Sequence, residues 1–502
     1  MTLRQAAWSI LAALGWAVDS AAGQSAKARL TIALDQAPLD RHHWGVAVLD
    51  PRGRLVFGRN ADRLFMPASN TKLVVSATAL AMLGRGWSVR TPVYGGGPIV
   101  GGTLAGDLVL YGQGDPTWSA RCFGNDTTST ASCETDPFAR LRPVAAALKA
   151  RGIRQIAGAV VGDGSAFEPL LVNPTWENDD IVWGYGAPVS GLGFNENVVT
   201  VTLEPSPDGQ PASLRIWPDV GGLSIDNQVV TSDTGTTRIQ WRRPEGQAIA
   251  VVTGTLRGSD GPERYELAVA DPNRFTALAL AAVLKDSGIA VLGGVRSTTD
   301  STATAIHRQA LPLAEVGSRP LADWIFPILN VSQNWVAEML IKQLGRQFGL
   351  AGSWREGIGV ERRFLIDEVG LDSTQFMIHD GSGLSAKNAI SPLAFAQLLA
   401  FMRLHPEFEA LAAGLPQSGR TGTLRNRFRQ GPLEGRIRAK TGSIGQVNSL
   451  SGYLERESPG PTPCRTFSIQ ANHHTLGGRA MIRAIDSVVV AIGDLGRCTA
   501  GR

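Results

Sequence analysis

Residues 66–83 read Met66-Pro67-Ala68-Ser69-Asn70-Thr71-Lys72 and then LVVSATALAML, a polar start running into an apolar stretch. The pattern predicts a helix from Thr71 to about Leu83, with Ser69 at its N-terminal edge. Side chains three apart share a helical face, about 5–6 Å apart at Cβ, so the Lys72 amine can reach the Ser69 hydroxyl. The free N–H groups of the first turn and the helix dipole would favour an oxyanion there. They would also disfavour a cation, pushing the lysine toward the neutral amine that a general base requires. A serine N-cap followed by a solvated lysine would produce the same letters. Ser-x-x-Lys nevertheless occurs once among seven lysines.

Outward from this stretch, residues 44–58 read as two strands around a Pro-Arg-Gly turn. From about residue 86 to 270 Gly-rich turns alternate with short β-like runs. Helical patterns return at Arg274–Ser287, Leu321–Phe348, Gly359–Glu368 and Pro392–Leu404. Strands are expected at Arg436–Thr441, Val447–Leu454 and Thr466–Ala471, then a helix from Arg479 to about Leu495. The class is α/β and multi-domain. Residues 23–85 and 271–502 would form one discontinuous domain, interrupted by a β-rich region at 86–270, itself two small domains. If the outer parts pack together, the first and last strands can share one antiparallel sheet.

Two further motifs follow in order. Ser332-Gln333-Asn334 precedes a helical run and offers a hydroxyl to relay a proton and an amide to hold a carbonyl. Alone it reads as a polar helix start. Lys440-Thr441-Gly442-Ser443 ends a predicted strand. Its lysine and hydroxyl suit a carboxylate, Gly442 admits close backbone approach, and the Ser443 N–H could donate to an oxyanion. A lysine ahead of a tight turn is the plain alternative. The ordered trio S-x-x-K, S-x-N and K-T-G carries more weight than its members.

With these motifs the chain resembles the low-molecular-mass class C penicillin-binding proteins, the D-alanyl-D-alanine carboxypeptidase/endopeptidase family. Tyr185-Gly186-Ala187-Pro188-Val189-Ser190-Gly191-Leu192 through Asn197, Gly112-Gln113-Gly114-Asp115-Pro116, Asp380-Gly381-Ser382-Gly383-Leu384-Ser385, and Leu415-Pro416 through Gly422-Thr423-Leu424 are similar to segments of that family. The spacing from Ser69 to Ser332, 332 − 69 = 263 positions, leaves room for the domains this family inserts there. Gln333 departs from the Asp or Asn more common at its position.

The resemblance implies a transpeptidase-like domain, an antiparallel sheet flanked by helices. It implies Ser69 as nucleophile, Lys72 as its base and Ser332, bridged to Lys440, as the proton donor to the leaving amine. It implies Asn334, Lys440, Thr441, Gly442 and Ser443 as the substrate-binding set. Peptidoglycan stem peptides would be substrates and β-lactams covalent inhibitors, with no metal or organic cofactor. A β-lactamase, or a catalytically silent penicillin-binding or cell-wall sensing protein, is the alternative.

Composition agrees with an exported protein. A net charge of +4 without basic blocks argues against nucleic acid. Arg4, the apolar run Ala6–Val18 and the small residues Ser20-Ala21-Ala22 read as a signal peptide over residues 1–22. That places the mature chain in the periplasm or cell wall, with at most peripheral membrane association. In such a compartment Cys122–Cys133 and Cys464–Cys498 are the natural disulfides, although four cysteines allow three connectivities. No G-x-S-x-G and no H-E-x-x-H occurs, which disfavours an α/β-hydrolase and a zinc peptidase of that type.

Overall fold

The computed structural model describes residues 26–32, 34–35, 39–124, 133–244, 247–456 and 463–495. The expected signal peptide and Cys498 lie outside the described residues.

Five strands build the central sheet: β1 (His43–Leu49), β2 (Leu55–Arg59), β3 (Ile437–Ile444), β4 (Val447–Glu455) and β5 (Pro463–Asn472). Their order is β2-β1-β5-β4-β3, antiparallel throughout, so the first strand lies against the last, His43 facing Asn472. Both faces are covered. Trp44, Val46 and Val48 of β1 join Met481, Ile485, Val488 and Ile492, the apolar stripe of helix Gly478–Gly493. Ala47 and Leu49 point the other way, onto Ala396 of helix Pro392–Leu404. Gly45 is required there: a Cβ would lie 2.6 Å from the Pro392 ring and closer still to Phe65. This explains why β1 reads as an apolar run instead of an alternation.

Helix α1 (Lys72–Leu83) is apolar on nearly every side and runs through the core beside helix α2 (Asn334–Phe348). The predicted helix Leu321–Phe348 is in fact two, Leu321–Leu329 and α2. The break falls at Ser332, whose φ of 64° leaves the helical region. The helix expected at Gly359–Glu368 starts earlier, at Trp354 behind an Ser353 cap, and ends in a π turn at Phe364–Glu368.

The inserted region is built mainly of short strands. Its largest sheet runs Val295–Thr298, Val160–Asp163, Leu108–Tyr111, Arg90–Gly95 and Ala314–Gly317. Helix Pro272–Asp286 buries Phe275, Ala277, Leu280 and Leu284 in the same core as Val93, Leu110 and Val316. Pairing therefore carries this region through Gly317, whereas the sequence pattern ends it at 270. The cause is a parallel pair, Val160–Asp163 beside Val295–Thr298, which needs a helical crossover, and Pro272–Asp286 supplies it. A disulfide joins Cys122 to Cys133, and Cys464 is also disulfide-bonded.

Candidate active site

Ser69 sits in a 3-10 turn, Ala68–Thr71, immediately ahead of α1. The sheet holds that turn from beneath. Ser449 of β4 donates to the Pro67 carbonyl at 2.7 Å, Asn70 donates to Ser451 Oγ at 2.7 Å, and Asn472 of β5 clasps both polar groups of the Met66 backbone. Ala68 has a φ of 47°, a left-handed conformation that costs about 1–3 kcal/mol and persists where its surroundings over-determine it.

Lys72 is buried, and its Nζ donates to Ser69 Oγ at 3.0 Å, to Asn334 Oδ1 at 2.7 Å and to the Ser382 carbonyl at 2.7 Å. Burial brings its pKa down to about 7, against the opposing charges of Asp380 and Glu338. A second Lys–Ser pair faces the first: Lys440 Nζ donates to Ser332 Oγ at 2.8 Å and to the Thr441 carbonyl at 2.7 Å. Burial, and then the nearby Lys72 charge, hold Lys440 well below the usual lysine range. The Ser69–Lys72–Asn334 cluster and the Ser332–Lys440 pair, drawn from the three ordered motifs, thus lie together.

The third motif lies inside β3 and not at its end, because the chain turns at Gly445, with φ 49°, and not at Gly442. Gly442 has a steric duty instead. A Cβ there would come within 2.2 Å of Ser449 Oγ, 2.7 Å of the Pro67 carbonyl and 3.1 Å of the Ser69 nitrogen. Only glycine lets β3 lie flush against the turn that carries Ser69. Thr441 Oγ1 donates to Thr423 Oγ1 at 2.8 Å, and Ser443 Oγ accepts from Asn448 at 3.2 Å.

Several supporting groups carry no motif signal of their own. Asp380 and Glu338 lie buried beneath Lys72. Asp380 accepts from Gly383 N, Ser385 N, Asn388 and Trp176, and Glu338 accepts from Ser382 N at 2.6 Å and from Trp354 at 2.6 Å. These bonds fix the Ser382 carbonyl that receives the Lys72 proton donor. Burial and the Asp380 charge raise Glu338 to about 7. Gly383, with φ 82°, allows the same loop to press on Ala68; a Cβ would lie 1.9 Å from its carbonyl. The inserted region also reaches the site, since Asn334 Nδ2 donates to the Tyr185 carbonyl at 2.9 Å. The Asp380, Tyr185 and Thr423 segments were visible only as likeness to family segments. Glu338 left no sequence mark beyond a carboxylate in an apolar helix.

The chain matches the D-Ala-D-Ala carboxypeptidase 3 (S13) family over residues 26–491. It is 30% identical over 465 residues to a D-alanyl-D-alanine carboxypeptidase of Actinomadura sp. strain R39, covering 90% of this chain and 81% of that one. It is 23% identical to the D-alanyl-D-alanine carboxypeptidase DacB of Haemophilus influenzae, covering 80% of each. The crystal structure of penicillin-binding protein 4 from Haemophilus influenzae superimposes with a TM-score of 0.77 at 22% identity, over 92% of this chain and 98% of that one. That likeness gives the fold.

Proposed function

From the premise that the chain belongs to the D-Ala-D-Ala carboxypeptidase 3 (S13) family, we propose how its residues divide the work of a serine-type DD-peptidase. The observation that carries the reading is the facing pair of Lys–Ser contacts, Lys72–Ser69 and Lys440–Ser332. Ser69 Oγ attacks the carbonyl between two D-residues of a peptidoglycan stem peptide while Lys72, as free amine, takes its proton. The Ser69 and Ser443 N–H groups stabilise the oxyanion. Ser332 then passes its hydroxyl proton to the departing amine as the C–N bond breaks, and takes back, by way of Lys440, the proton that Lys72 removed from Ser69. Asn334 holds the substrate amide, and Lys440 with Thr441 holds the terminal carboxylate across the clearance that Gly442 leaves. Water hydrolyses the Ser69 ester, returning the proton to the hydroxyl.

β-Lactams present a strained amide to the same serine and acylate it. The chain is exported, acting in the periplasm or cell wall; among the described residues no helix is long and apolar enough to cross a membrane. The domain division we propose is a catalytic body interrupted from about residue 86 to the turn before Leu321. The test is incubation with purified cross-linked muropeptides and mass spectrometry. Free D-Ala from pentapeptides and monomers from dimers report carboxypeptidase and endopeptidase action separately, and Ser69→Ala should lose both. A fluorescent penicillin that still labels Ser69→Ala refutes the nucleophile, and rapid turnover of that label points to a β-lactamase.

A further inference from the structure

Three consecutive residues behind Ser332 each send one side-chain donor into the inserted region. Gln333 Nε2 donates to Glu196 Oε2, Asn334 Nδ2 to the Tyr185 carbonyl at 2.9 Å, and Trp335 Nε1 to the Pro188 carbonyl at 3.0 Å. Two of the acceptors are backbone, so Glu196 is the one whose chemistry the sequence is free to choose. It is buried and sits in a left-handed run, Asn195, Glu196 and Asn197 having φ of 50°, 58° and 58°. Its carboxylate also accepts from Ser119 Oγ at 3.0 Å and from Arg121, through Nη2 at 2.6 Å and through Nε.

Gln333 is suited to this carboxylate. Its Oε1 accepts from the Val336 N–H at 3.1 Å, capping α2, while its Nε2 reaches Glu196. Only an amide does both. A carboxylate at 333 would cap the helix but set like charges together, and a hydroxyl would be too short to span the gap. The backbone N–H of Gln333 is tied to the Pro327 carbonyl at 2.9 Å. Both ends of residue 333 are therefore fixed, one residue after a Ser332 whose φ is 64°.

We infer that Glu196 of the inserted region is a positioning residue for Ser332, acting through the Gln333 side chain to aim the Ser332 hydroxyl at the leaving amine. This rests on the peptidase reading above. It gives the inserted region a part in the chemistry and accounts for glutamine at the middle of the second motif.

The test compares a D-alanyl amide, whose amine needs a proton to leave, with the matching thioester, whose thiolate leaves without one. Gln333→Glu should lower amide kcat/KM about 100-fold, mainly in kcat, since small misplacements of a reacting group cost about that much. The thioester loss should be far smaller. Adding Glu196→Gln exchanges donor and acceptor across the same contact and should restore most amide hydrolysis. Gln333→Met, which removes the donor without adding charge, gives the same contrast where the carboxylate variant folds poorly. Equal losses on amide and thioester, or a double variant no better than Gln333→Glu, overturn this proposal alone. A wild-type protein that hydrolyses neither substrate overturns the peptidase reading and this proposal with it.

Discussion

The reactive centre and the seam between α2 and the inserted region are both built around a buried lysine, and the two lysines are handled differently. Lys72 faces a serine hydroxyl, an amide oxygen and one carbonyl. Lys342, two helical turns along α2 from Asn334, donates to the Leu170 and Val189 carbonyls at 2.8 and 3.2 Å. It lies 3.4 Å from Glu168 and 3.6 Å from the centre of the Trp354 ring. Burial lowers both, Lys72 to about 7 and Lys342 to about 8, and the Glu338 charge opposes the shift in both. Desolvation alone therefore does not tell the two lysines apart. What separates them is the partners: Lys72 has a hydroxyl with a proton to give, whereas the carbonyls, the Glu168 carboxylate and the ring around Lys342 can only hold one in place.

The sharpest way to break this contrast is to replace each lysine by methionine. Lys72→Met should slow penicillin acylation of Ser69 by about 10²–10⁴, the usual worth of a positioned general base. Lys342→Met should leave most of that rate and appear in stability instead. The carbonyls of Leu170 and Val189 lose a donor, at about 1–3 kcal/mol for each buried acceptor left unpaired, read as a fall in Tm. Comparable rate losses in the two variants would erase the distinction.

The pH profile sharpens it. If Lys72 acts as a free amine, wild-type acylation should rise about tenfold per unit below pH 7 and level off above it. A second limb near pH 8 would mean that Lys342 also feeds the chemistry. The stability sign is the same for both lysines. Each binds its proton less tightly folded than unfolded, so stability rises with pH between their folded pKa values and the unfolded value of about 10.4.

The smallest expected effect is at Glu361, a buried carboxyl close to Glu338 and Asp380 with neither oxygen hydrogen-bonded. Burial raises it well above the usual carboxylate range, so the folded protein keeps a proton that the unfolded chain gives up above about pH 4.3. It therefore subtracts stability as pH rises. Glu361→Gln should leave Tm almost unchanged near pH 3.5 and raise it progressively toward pH 8, measured by calorimetry. A loss of penicillin acylation in that variant would instead tie Glu361 to Lys72.

The Ser69–Lys72 contact was legible because S-x-x-K spacing encodes it locally, whereas Ser332, Asn334 and Lys440, whose partners lie 108 and 262 positions away, stood out only through the order of the three motifs. The sequence also made the buried strands and α1 legible, since apolar runs are local. The pairing of Val295–Thr298 and Ala314–Gly317 with strands before residue 164 was not legible. Helix Pro272–Asp286 has the same periodicity whichever core it joins, and only its crossover between two parallel strands decides. Glu196 and Gln333 are 333 − 196 = 137 positions apart, and nothing local marks them as partners. Glu338, and the role of Asp380, were hidden for a different reason: buried carboxylates reveal themselves only through the backbone N–H groups that solvate them.

The central sheet has one more consequence. Strand β1, near the start of the chain, is flanked by β2 and β5, with His43 opposite Asn472, 472 − 43 = 429 positions away. Contacts so distant form late, because a long loop must close before they repay its entropy. A chain cut short just before β5 therefore has Ser69 and Lys72 in hand, and the β4 serines that hold Pro67 and Asn70, but lacks Asn472, which clasps Met66. Wiring the two ends together acts as a completion check. The turn that carries Ser69 is held at all three of its supports only once that strand is in place.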